Sequence, residues 1–191
     1  MDNTVGSLNN DPVTTESTES GRNSGDLSRY YTPTSLVRDI RNIPEYITGY
    51  VDGEGCFTVT FNVREKARLG WELRPSFSVS QNRDRRQVLD IMKDYFACGH
   101  IRPTYRDKTL KFEVRDHDDI MNKIIPHFDE FFLLSNKQKD FLLFKKICKI
   151  VDNDKHLEKD GFIKIIHLAY KMNNSGGKRK RSKEEIIQSL S

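Results

Sequence analysis

Hydrophobic positions along this chain switch between two periods, and the switches mark the elements. From Cys56 to Arg64 the pattern alternates strictly, with Phe57, Val59, Phe61 and Val63 on one side and Thr58, Thr60, Asn62 and Arg64 on the other. Such alternation predicts a half-buried strand. After a turn around Arg68, Leu69 and Gly70, Trp71, Leu73, Phe77 and Val79 oppose Glu72, Arg74, Ser76, Ser78 and Ser80, so the two runs should pair antiparallel. Val88, Ile91, Met92 and Tyr95 then recur at helical spacing, with Asn82 placed to cap that helix. A second strand pair follows: Ile101 and Tyr105 alternate with Arg102, Thr104 and Arg106, and Leu110, Phe112 and Val114 with Lys111, Glu113 and Arg115. Three more amphipathic helices are expected on Ile120–Phe128, Phe141–Val151 and Phe162–Ala169. Ahead of the first strand, Pro44 suits the first turn of a helix and Glu45 its positive end, so a helix should run to Gly53, where glycine can stop it. Helix, two strands, helix, two strands and then helices predict an α+β fold, αββαββα, around a four-stranded antiparallel sheet.

Composition divides the chain. Of the first 28 residues, 22 are Ser, Thr, Asn, Gly, Asp, Glu or Pro, too polar to bury a core. Residues 1–36 are therefore expected to be disordered, residues 37–173 to form the domain, and residues 174–191 to make a basic tail with a short helix over Glu184–Leu190. The net charge is +4 over 191 residues, but residues 1–36 hold five acids against two bases, which leaves the remainder at +7. A basic domain makes an anionic partner plausible. No apolar run reaches the roughly 20 residues of a membrane span, and the start lacks a secretory signal. The odd and widely spaced Cys56, Cys98 and Cys148 argue against a disulfide framework or zinc site. An intracellular, reducing compartment is the simpler expectation.

Candidate chemistry lies in two places. The polar sheet face carries Arg64, Arg74, Arg102, Arg106, Lys111 and Arg115 against Glu72 and Glu113, interleaved with Thr58, Thr60, Asn62, Ser76, Ser78 and Thr104. A merely solvated face is one reading. The other is nucleic acid, since arginine suits phosphate oxygens and guanine edges, short hydroxyl side chains can contact either, and a two-stranded ribbon fits a DNA major groove. The second place is Ile47-Thr48-Gly49-Tyr50-Val51-Asp52-Gly53-Glu54-Gly55. Gly49 and Gly53 lie four apart, where they can be a simple stop or let a second backbone approach closely. Glu54 should fall just beyond the last helical turn, where backbone carbonyls make the end negative. Two copies meeting through Gly49 and Gly53 would bring two Glu54 carboxylates together, and a divalent cation would relieve their repulsion.

This nonapeptide resembles the signature of the LAGLIDADG homing endonucleases, in the branch with one motif per chain, departing at Ile47, Thr48 and Tyr50 and carrying Glu54 where the family more often has Asp. The resemblance extends over about residues 44–152. It implies a homodimeric, site-specific endonuclease that lays its sheets along a long, partly palindromic double-stranded DNA, with Mg2+ or another divalent cation held by Glu54 of both subunits. The segment Ser76–Arg86 is similar to the family's second-strand ending, which makes Gln81 and Arg85 the residues bordering the active site. Lys137-Gln138-Lys139 resembles the family's Lys-Gln-Lys segment, which implies a catalytic role for Lys137; Asp52 reads as supporting structure. The same resemblance implies a coding sequence within a group I intron, in an organelle (chloroplast or mitochondrion) or in bacteria. An RNA maturase or a DNA-binding regulator that kept the fold and lost cleavage is the alternative function, and an α+β interaction domain with an incidental basic face is a third.

Overall fold

The computed structural model of the chain describes residues 42–104, 108–173 and 179–190; the expectations for residues 1–36, Tyr105 and Arg106 lie outside them. The first helix, α1 (Ile43–Glu54), opens with Pro44 and has Glu45 in its first turn, as the unpaired N–H groups of that end favour. It is longer than expected. Gly53 remains helical, and the chain leaves the helix at Gly55 in extended backbone, φ −75° and ψ 158°. A Cβ at Gly55 would stand 2.5 Å from Cγ1 of Val51 and 2.7 Å from its carbonyl oxygen. The abrupt passage from helix to strand therefore requires the absence of a side chain, and the stop is steric at Gly55 where a C-cap at Gly53 was expected.

Strands β1 (Gly55–Val63) and β2 (Trp71–Asn82) pair antiparallel, Gly55 opposite Val79 and Val63 opposite Trp71. Gly70, at φ 73°, turns the chain between them, its carbonyl accepting the Arg64 N–H. A 3₁₀ turn over Arg83–Arg85 leads into α2 (Gln87–Phe96). Two expectations fail here. Asn82 still belongs to the strand and makes no side-chain cap, because the 3₁₀ turn separates it from the helix. Tyr95, expected in the core, is 39% exposed, while Leu89 and Phe96 are buried. Strands β3 (His100–Pro103) and β4 (Thr109–Val114) complete an antiparallel sheet of order β1-β2-β4-β3.

Helix α3 covers 117–130 as His117–Asp119, a π turn Ile120–Ile124 and Ile125–Glu130 in continuous right-handed backbone. Pro126 has no N–H to give and would crowd the carbonyl four residues earlier, which accounts for the widened turn before it. Helices α4 (Lys137–Asp152), α5 (Lys159–Ala169) and α6 (Lys183–Gln188) follow. No helix among the described residues is long and apolar enough to cross a membrane.

The apolar sheet face closes on these helices. Phe57 sits at the centre, its ring 5.3 Å from that of Phe77 and 5.4 Å from those of Phe128, Phe141 and Phe144. Val63, expected to share this face, is 55% exposed. A second, smaller core joins Leu69 and Trp71 to Phe162, Ile166, Ile186 and Leu190. The C-terminal helix is thus docked rather than appended. Ser182 and Glu185 form a reciprocal capping box at its start, and Trp71 Nε1 donates to Ser189 Oγ at 3.1 Å.

Candidate active site and nucleic-acid face

Helix α1 has a packed side and an open side. On the packed side Ile47 and Val51 are fully buried and Thr48 is nearly so. The Thr48 hydroxyl donates to the Pro44 carbonyl at 2.9 Å, so its oxygen takes the Nε2–H of His127 at 3.0 Å. That leaves His127 Nδ1 to accept from the Tyr95 hydroxyl at 3.1 Å. Burial lowers the His127 pKa to about 4, consistent with a neutral ring that fastens α1 to α2 and α3.

The open side carries the signature residues. Gly49 and Gly53 are exposed, and a Cβ on either would meet nothing within 4 Å. Nothing inside one chain demands glycine at these positions. Glu54 is the last residue of the helix, not one beyond it; its side chain is exposed and has no hydrogen bond or ion pair with another described residue.

Three groups from distant parts of the sequence meet this helix end. The Lys137 ammonium donates to the Gly53 carbonyl at 3.1 Å, supplying the positive charge that the last turn of α1 lacks. The Asp52 carboxylate accepts from the Leu134 N–H at 3.1 Å, the Ser135 N–H at 3.0 Å and the Ser135 hydroxyl at 2.6 Å. Ser135 Oγ in turn accepts the Lys137 N–H at 3.1 Å. The start of α4 is therefore clamped to the end of α1 from both directions. Gln81, at the end of β2, donates to the Tyr50 hydroxyl, and its own oxygen takes the Asn82 N–H at 2.6 Å. Tyr50 lies one helical turn before Glu54, on the same side.

Of the four residues expected at the catalytic centre, Glu54, Gln81 and Lys137 thus gather around the end of α1. Arg85 stands on the exposed 3₁₀ turn after β2 with no ion pair among the described residues, whereas its neighbour Arg86 is held by Asp90 at 2.9 Å. Tyr50 and Ser135 were not anticipated. Tyr50 is one of the positions where the nonapeptide departs from the family signature, and the Ser135 contact spans 83 residues, which no local pattern signals.

A divalent cation fits this donor set only in part. Glu54 offers a hard carboxylate oxygen of the kind magnesium takes, and no basic side chain among the described residues pairs with it. No cluster of three or more His, Cys, Asp or Glu gathers with it among the described residues. Asp52 is fully used in the clamp.

The polar sheet face is concave, and Thr58, Thr60, Asn62, Arg74, Ser76, Arg102 and Lys111 line one groove with Glu113 and Arg115. Each acid there holds two guanidinium groups: Glu72 binds Arg64 at 3.0 Å and Arg74 at 2.8 Å, and Glu113 binds Arg102 at 2.8 Å and Arg115 at 3.0 Å. The ion pairs orient the arginines without cancelling their charge, and Lys111 adds a cation with no ion pair among the described residues. Two expected contact residues are less available. Ser78, opposite Glu113, is 5% exposed, and Ser76, 8% exposed, has its hydroxyl 2.9 Å from that of Thr58. Thr104 bonds across the hairpin to the Thr109 carbonyl at 3.0 Å.

The profile of the LAGLIDADG endonuclease family matches residues 47–148, over half of the chain, and the chain belongs to that family. It is 33% identical over 124 residues to the probable intron-encoded endonuclease 2 of Neurospora crassa, covering 64% of this chain and 27% of that relative. Among solved structures it is similar to the I-LtrWI LAGLIDADG homing endonuclease bound to target DNA, at 34% identity and a TM-score of 0.71, covering 78% of this chain and 50% of that one. The archaeal intron-encoded homing endonuclease I-Vdi141I, complexed with DNA, matches with the same TM-score at 25% identity, over 76% of this chain and 92% of its own. The chain spans between about a quarter and a half of the first curated relatives it matches.

Proposed function

We propose that the protein is a site-specific DNA endonuclease of the intron-homing type, acting as a homodimer on a long, partly palindromic duplex and requiring magnesium or a similar divalent cation. The observation that carries this reading is the open side of α1, where Gly49 and Gly53 leave room for a second backbone beside a Glu54 carboxylate that has no partner among the described residues. Two copies packed through these glycines would bring both Glu54 side chains together and supply the second carboxylate that one chain lacks. The chain's coverage of nearly all of I-Vdi141I and half of I-LtrWI fits a unit that is used twice.

Glu54 and Glu54 of the partner subunit would hold the cation. Once bound, such a cation lowers the pKa of a coordinated water and offsets charge on the phosphate and the leaving oxygen. The chain's own groups do the rest. Lys137, fixed to the Gly53 carbonyl, keeps an ammonium beside the scissile phosphate and the attacking water. Gln81, held by Tyr50, orients that water, and Arg85 reaches from the 3₁₀ turn to a phosphate oxygen. The groove of β1, β2, β3 and β4 would lie in the major groove of one half-site, with Thr58, Thr60, Asn62, Arg64, Arg74, Arg102 and Lys111 facing bases and phosphates.

The test is selection of cleaved sites from a randomised duplex library, with magnesium and with a chelator. Metal-dependent recovery of one long, nearly symmetric site is expected. Recovery of bound but uncut duplex in magnesium would refute the nuclease reading and favour a regulator or maturase that retained the fold.

A further inference from the structure

The basic run near the C-terminus is more ordered than a solvated tail requires. Arg179 is half buried. Its guanidinium donates to the Val59 carbonyl at 3.0 Å and the Ala169 carbonyl at 2.6 Å, and lies 4.6 Å from the Tyr170 ring centre. Val59 is on β1, an outer strand of the sheet, so this side chain also covers a strand edge that would otherwise be open. None of these partners is a carboxylate. A desolvated cation among carbonyls and rings is left short of negative charge. Two residues on, the Arg181 guanidinium lies 5.3 Å from the Trp71 ring centre and its carbonyl accepts the Tyr170 hydroxyl at 2.6 Å. Lys180 between them is exposed and has no ion pair among the described residues.

These three cations line a cavity with Thr60 and Asn62. The same two residues line the groove of the sheet face, so the cavity and the groove meet across β1. A protein element seated in the major groove has a phosphate backbone along each flank, and the outer edge of β1 is such a flank. We propose that Arg179, Lys180 and Arg181 form a phosphate-binding rim that extends the DNA interface beyond the sheet, with Lys180 and Arg181 contacting backbone phosphates and Arg179 setting the rim in place and supplying field. The proposal rests on the reading of the sheet as a DNA face, and it adds affinity without sequence preference.

The experiment measures the salt dependence of binding, without magnesium, for wild type, Lys180→Gln/Arg181→Gln and Lys180→Glu. The two probes are the selected duplex and a random duplex of equal length. Each phosphate contact contributes about 0.9 to the slope of log affinity against log salt, so the double variant should lower the slope by about two per chain. Affinity should fall by the same factor on both duplexes. Lys180→Glu, which leaves the stacked Arg181 in place, should fold as wild type and still lower the slope, whereas Lys180→Arg/Arg181→Lys should preserve it. Unchanged slopes in both charge variants, while wild type binds both duplexes, would overturn the rim alone. Failure of wild type to bind any duplex would overturn the rim and the DNA reading together.

Discussion

The two sides of helix α1 obey different constraints. The side bearing Ile47, Thr48 and Val51 is buried and fastened through His127 and Tyr95; on the other side Gly49, Gly53 and Glu54 are exposed, a Cβ on either glycine would meet nothing within 4 Å, and the Glu54 side chain has no hydrogen bond or ion pair with another described residue. On the packed side the folding of one chain explains every residue. On the open side it does not account for the two glycines or for the unpaired Glu54 carboxylate, which is what the proposed pairing of two copies would explain. One helix of 12 residues thus separates stability from the proposed function by angle around one axis, and substitutions on the two sides should fail in different assays.

The largest expected effect is on the open side. Glu54→Gln removes a negative charge while keeping size, and should lower magnesium-dependent cleavage by about 10³-fold, or several kcal/mol of transition-state stabilisation. Thermal stability and DNA affinity should stay near wild type, and cleavage at the wild-type rate would dissolve the distinction. On the packed side, Ile47→Ala should cost about 2–5 kcal/mol in denaturant unfolding; a loss well below 1 kcal/mol would mean that this side is not the anchored one.

His127 sharpens the packed side further. Its folded pKa is about 4 against an ordinary value of 6.5, so the unfolded chain binds a proton that the folded chain refuses. Stability should be complete above pH 6.5 and decline as pH falls toward 4, by up to about 3 kcal/mol. A His127→Gln variant should be less stable at neutral pH and show a flatter profile over that window; equal slopes would assign the pH dependence elsewhere. Asp52→Ala frees the start of α4 and should slow cleavage about tenfold through Lys137, with substrate affinity unchanged. The smallest effect tests the open side by its indifference. Gly49→Ala should leave the stability of the unassembled chain within about 0.5 kcal/mol or raise it slightly, since its Cβ meets nothing, while Gly49→Leu should weaken self-association measured by sedimentation.

Much of this architecture was readable from alternation. The strands, the sheet and the buried faces of α4 and α5 follow from periods of two and 3.6, because a face that packs must repeat as its backbone repeats. The ends were less legible. Gly53 and Gly55 are both glycines near a helix end, and only the three-dimensional crowding at Val51 decides which one the chain needs. Ser78 alternates as a surface residue yet is covered, standing directly opposite Glu113, which holds Arg102 and Arg115. The motif pointed to Glu54, and family resemblance pointed to Lys137, but the Asp52–Ser135 clamp that brings them together joins segments 83 residues apart and leaves no mark on either alone. The basic tail was the hardest to read, since cations held by carbonyls and rings look in sequence like cations held by water.

The central claim is that the cleaving centre needs Glu54 from two copies. Its most direct test is the double-strand cleavage rate of protein co-expressed as equal amounts of wild-type and Glu54→Gln chains, at fixed total protein on the selected duplex. Random pairing into homodimers leaves about one quarter of the assemblies with two intact carboxylates, so the rate should fall to about one quarter of wild type. A rate of about one half, following the fraction of intact chains, would mean that each chain cuts alone and would contradict the shared centre.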